Sequence, residues 1–78
     1  MTTKSNRVSP YVKATLNDIS VEIYIYHIVD NVYEVVLSNG EFMVVVNKTD
    51  NLHDAMEFMD ALLIPFVFAD YLVETVFQ

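Results

Sequence analysis

A chain of 78 residues with eleven acids against four bases, a net charge of −7 and no cysteine is small, acidic and without a covalent staple. Its charge repels nucleic acid and anionic membrane and steers it toward basic partners, while the missing thiol excludes disulfides, thiolate metal sites and a cysteine nucleophile. A domain this small buries only about 60% of the surface its unfolded chain exposes, and 54% of these residues are apolar, so dense packing or self-association has to supply stability and a homodimer is the expected state.

Residues 1–9 are polar, lack periodicity and end at Ser9-Pro10, which predicts a flexible arm ahead of a single α+β domain over residues 10–78. Residues 11–16, YVKATL, are half apolar and read as an edge strand or extended lead-in, and Asn17-Asp18 supplies turn chemistry. Ile19–Val29 is dominated by β-branched and aromatic residues, with Ile19, Val21, Ile23 and Ile25 alternating with Ser20, Glu22, Tyr24 and Tyr26, and predicts a long strand. Which set faces the core stays open. A two-residue turn at Asp30-Asn31 points Tyr24, Tyr26 and Ile28 inward, and one extra residue or a bulge points Ile23 and Ile25 inward instead.

Ser38-Asn39-Gly40-Glu41 separates two strand patterns in the arrangement of a two-residue type I′ hairpin centred on Asn39 and Gly40. That register pairs Leu37 with Phe42, Val35 with Val44 and Tyr33 with Val46 on a helix-facing side. Val36, Met43 and Val45 fall on the other side, as possible dimer contacts.

Asp50 or Asn51 then caps a helix whose apolar arc is Leu52, Ala55, Met56, Phe58, Met59, Leu62 and Leu63, with His53, Asp54, Glu57 and Asp60 opposite. Pro65 suits the first position of a new helix, so a second one is predicted over residues 65–77, with Phe66, Ala69, Leu72, Val73 and Val76 inward and Asp70 and Glu74 outward. Val67 and Phe77 also fall toward its outer side. The predicted fold is α+β, a three- to four-stranded antiparallel sheet followed by two C-terminal helices packed on one face.

No motif fixes a chemistry. The single glycine excludes a Gly-rich phosphate loop, Ser5, Ser9, Ser20 and Ser38 have no recognisable base partner, and on an open helix face nothing tunes paired carboxylates apart. Neither an enzyme nor a cofactor is expected. His53, Glu57 and Asp60 have metal-ligand character at i, i+4 and i+7, but a helix with one solvated face produces such stripes routinely, so no metal is expected. Tyr24, Tyr26 and Tyr33 on adjacent strands suggest a stacking platform for single-stranded nucleic acid, which needs a positive groove that four bases cannot build. Cross-strand packing is the expectation for them.

What remains is acidity: Asp54, Glu57 and Asp60, then Asp70 and Glu74, with no cation nearby in sequence. Such a row can present charge to a protein whose groove is built for phosphates, and these five residues are the expected partner-binding surface. In size, acidity, lack of cysteine and β-then-α order the chain resembles small phage or mobile-element inhibitors, such as anti-CRISPR and anti-restriction proteins; this likeness of composition carries over no residue roles. The expected function is stoichiometric masking of a basic, nucleic-acid-binding protein, with no direct contact to nucleic acid or membrane. The alternative is a homodimeric structural or accessory subunit associating through its apolar sheet face. The N-terminus MTTKSNRVSP is polar and the apolar residues 64–69 are far short of the ~20 that a membrane span needs, so cytoplasmic residence is expected, in the host cytoplasm if the chain is phage-encoded.

Overall fold

The computed structural model describes residues 6–77, so residues 1–5 of the expected arm lie outside it, while residues 6–9 already belong to the first strand. The elements in chain order are β1 (Asn6–Leu16), β2 (Ile19–Val29), β3 (Val32–Ser38), β4 (Met43–Thr49), α1 (Leu52–Phe68) and β5 (Leu72–Val76). All pairings are antiparallel, in the order β4-β3-β2-β1-β5. The expected three- to four-stranded sheet with two C-terminal helices is therefore corrected to five strands and one helix. β1, expected at an edge, lies between β2 and β5. α1 is the crossover between the two edges: its 17 residues reach about 25 Å at ~1.5 Å per residue, enough to cross five strands spanning about 19 Å.

The C-terminal correction has a local cause. Pro65 sits inside α1 and does not start a new helix. The stop comes at Ala69, through the Schellman pattern: Asp70 adopts φ 67, its N–H donates to the Val67 carbonyl (3.1 Å) and the Tyr71 N–H donates to the Phe66 carbonyl (2.9 Å). The apolar contact that usually accompanies this motif is here Tyr71 edge-on against Phe66, with centroids 5.1 Å apart. Once the helix has ended, LVETV, rich in β-branched residues, pairs with β1. Of the inward stripe expected there, Phe66 and Val73 pack on the core while Ala69 and Leu72 are exposed.

Register follows from the turns. A chain with one glycine makes its other left-handed turns with Asn and Asp, the residue types that best tolerate positive φ: Asn17 (54°) between β1 and β2, Asp30 (41°) between β2 and β3, and Asp70. Val29 pairs with Val32, but His27 then pairs with Tyr33, so Ile28 is an extra, bulged residue. The bulge sets Ile23 and Ile25 opposite Leu37 and Val35 against α1, and leaves Tyr24 and Tyr26 on the other side, half-buried.

The hairpin differs from the expected one by a two-residue slip. Ser38 pairs with Met43, and Gly40 and Glu41 are the central residues, because the Asn39 side chain accepts from the N–H groups of both Glu41 (3.0 Å) and Phe42 (2.9 Å). Gly40, at φ 96, takes the first central position, as glycine does in type II′ turns. A slip of two keeps side-chain parity, so Met43 and Val45 still point away from α1.

Ile23, Ile25 and Val35 are fully buried and pack with Val12, Ala55 and Met59; Leu52, Phe58, Leu62, Leu63 and Phe66 complete the helix side of the core. Met56, expected in the apolar arc, is exposed, as are Phe42 in the turn before β4 and Val44 on β4. Asn51 is the N-cap, accepting the Asp54 N–H at 2.8 Å.

Candidate protein-binding surfaces

Two surfaces remain outside the core: the outer side of α1 and the sheet face that α1 does not cover. On α1, Asp54, Glu57 and Asp60 are all exposed, with Asp50 at the helix entry. Their i+3 spacing puts a carboxylate about every 4.5 Å along the axis, against one phosphate per roughly 3.4 Å on a nucleic-acid strand. His53 lies 3.2 Å from Glu57. Among the described residues no group of three His, Cys, Asp or Glu could hold a metal ion.

Past Asp60 the same stripe turns apolar, with Ile64, Val67 and Phe68 exposed, Phe68 by 84%. The stripe thus carries carboxylates at one end and exposed apolar side chains, ending in an aromatic ring, at the other. The signal was legible only in part: with Pro65 read as a helix start, Ile64 and Phe68 did not fall on the stripe of Glu57 and Asp60. Asp70 is exposed in the turn after α1. Glu74 is not part of the helix row, since it lies on β5 opposite Lys13, on the uncovered sheet face.

That uncovered face is laid out in rows across the strands. The central row is Val76, Tyr11, Tyr24, Val36 and Val45, from β5 to β4; on one side of it run Glu74, Lys13, Glu22, Ser38 and Met43, on the other Arg7, Tyr26, Glu34 and Lys48. The Tyr11 and Tyr24 rings lie 4.8 Å apart, tilted by 39°, with the Arg7 guanidinium 4.9 Å and 5.3 Å from their centres. Lys48 lies 3.7 Å from Glu34. The Tyr24 hydroxyl donates to Glu22 at 2.9 Å, and burial together with that neighbouring carboxylate pushes its pKa up to about 12. Val36, Met43 and Val45, the expected dimer contacts, come together with Tyr26, Ile28 and Glu34 around a groove of about 350 Å³. Tyr33 leaves the expected aromatic set: it lies on the helix side, stacked on His27 at 4.6 Å, and the His27 Nε2–H donates to the Asp30 carbonyl.

A second cleft, about 520 Å³, is lined by Asn31, Val32, Lys48, Thr49, Asp50 and Asp54 at the start of α1. Its lining sets Lys48 beside the carboxylates of Asp50 and Asp54, and the Asn51 side chain already caps the helix terminus. Among the described residues no helix is long and apolar enough to cross a membrane. Compared with known protein families, curated proteins and solved structures, the chain matches none.

Proposed function

We propose that the chain is a non-enzymatic binding protein that docks α1 on the basic site of a nucleic-acid-binding protein and masks it stoichiometrically. The observation that supports this reading is the segregation of charge. Arg7, Lys13 and Lys48, the bases among the described residues, all lie on the strands of the uncovered sheet, each beside a carboxylate or aromatic rings; Lys48 also borders the cleft of Asp50 and Asp54 at the helix entry, while among the described residues Glu57 and Asp60 further along α1 have no ion pair with a Lys or Arg. The acidic half of the stripe gives long-range steering and Ile64, Val67 and Phe68 give apolar contact once docked. This fits an inhibitor of the phage or mobile-element kind, acting in a reducing cytoplasm.

The test is capture from host lysate on the immobilised chain, followed by measuring whether the captured protein loses its nucleic acid when free chain is added. Asp54→Lys, Glu57→Lys and Asp60→Lys together are expected to abolish capture with the fold intact, and rising salt to weaken it. A folded triple variant that still captures and displaces equally well removes the basis of this reading.

A further inference from the structure

We propose that a second copy of this chain covers the uncovered sheet face, packing sheet on sheet about a two-fold axis that runs along β2. The inference rests on that face alone and does not depend on what α1 binds.

The face is apolar along its central row, and one of the two rows flanking it, that of Arg7 and Glu34, is complementary to itself in charge. Val36 is only 4% exposed, while Met43 and Val45 beside it are more than half or about half exposed, at 58% and 50%. Five strands at ~4.8 Å and about six residues at ~3.3 Å give a face of roughly 500 Å² in projection, so two such faces reach the ~1,000 Å² that separates a specific interface from a casual contact. Symmetry then supplies the argument for a second copy over any other partner. Arg7 and Glu34 lie on either side of β2, both in register with Tyr26. Rotation about β2 carries Arg7 of each copy over Glu34 of the other, Tyr11 over Val36, Val76 over Val45 and Tyr24 over its own mate. A two-fold perpendicular to the strands would instead set Lys13 against Arg7. Edge-to-edge pairing is also disfavoured, because β4 carries a bulge at Val46 and the charged Lys48, and β5 is five residues long.

Analytical ultracentrifugation of the full chain at micromolar concentration is expected to give twice the chain mass. Arg7→Glu and Glu34→Arg, made separately, each set like charges against each other and should raise the dimer dissociation constant about tenfold or more, while the two together restore the dimer. Glu22→Gln should tighten it, since the same axis brings the two Glu22 carboxylates together. Circular dichroism checks that each variant folds; because Glu34 also neighbours Lys48, Arg7→Glu carries the test if Glu34→Arg does not fold. A monomeric wild type overturns the proposal. So does a dimer indifferent to Arg7→Glu, as strand addition at β4 or association through α1 would be, and so does a double variant that stays monomeric while folded.

Discussion

The two sides of this sheet use the same residue types and do opposite things with charge. On the uncovered side Lys13 lies between Glu22 and Glu74 and Lys48 meets Glu34, so the fields cancel within a few ångströms. On the α1 side, among the described residues, none of Asp54, Glu57 and Asp60 has an ion pair with a Lys or Arg, and Glu57 has His53 at 3.2 Å. An uncompensated row is felt over a Debye length, about 8 Å at physiological salt, and a paired one is not. The comparison teaches that in a chain with eleven acids the placement of the few bases decides which surface is electrostatically active.

The sharpest way to break that contrast is to invert it. The triple change at Asp54, Glu57 and Asp60 to Lys should lower the association rate with a basic partner by about ten- to a thousandfold, the range of electrostatic steering, read by stopped-flow or surface binding at two salt concentrations. Phe68→Ser should leave the association rate alone and speed dissociation, because an apolar contact acts only after encounter. The reverse pattern would mean that the two ends of the stripe have been given each other's roles.

The next effect concerns the sheet's own two faces. Ile23→Ala should cost about 2 to 5 kcal/mol, since Ile23 is fully buried, whereas Val45→Thr on the uncovered side should stay within about 0.5 kcal/mol in the monomer. Urea titration compares them. A small loss for Ile23→Ala would mean that the bulge at Ile28 does not set the face of β2, and a large one for Val45→Thr that the other face is buried in the monomer.

How much of this was legible follows the same division. The strand character of Ile19–Val29, the cap at residue 50 or 51 and the grouping of Val36, Met43 and Val45 could be read because each rests on local pattern. The face of β2 could not, because Ile and Tyr alternate and either set is apolar enough to bury; a single residue at a turn decides it. The last strand was hidden for a different reason. Pro65 looks like a boundary and Asp70 does not, yet the helix runs through the first and stops at the second. Glu74, expected on the acidic helix face, therefore belongs to the balanced one.

Gly40→Val tests the hairpin that keeps Met43 and Val45 on the uncovered side. An added Cβ would meet nothing within 4 Å, so the cost is backbone strain alone, about 1 to 3 kcal/mol at a positive φ. An unchanged melting temperature would indicate that the turn holds no left-handed residue there.

Pro65→Ala works in the other direction and tests where the helix side ends. Proline in a helix interior costs about 3 kcal/mol relative to alanine, softened here by its place in the last turns and by the ~0.4–1 kcal/mol it saves through restricting the unfolded chain. A net gain of about 1 to 2 kcal/mol is expected, raising the melting temperature by roughly 4–8 °C per kcal/mol. A loss would place a true break before Pro65 and return residues 65–77 to a separate element.

The smallest effect probes the charge balance of the uncovered face through Tyr24. Its hydroxyl is raised from 10.0 to about 12, first by burial and then by the hydrogen bond to Glu22 and that carboxylate's charge, with Arg7 pulling the other way. The unfolded chain gives up this proton near 10.0 while the folded one holds it, so the stabilisation is complete below pH 10.0 and is lost as pH rises toward about 12. Ultraviolet titration of the folded chain should therefore show Tyr24 ionising well above 10.0, and the assignment to Tyr24 is checked with Tyr24→Phe. Glu22→Gln removes the carboxylate's share and keeps the burial, so the late ionisation should move down without reaching 10.0. A Tyr24 that ionises near 10.0 in the folded chain would stand in open water and remove the packed row on which the contrast between the two faces depends.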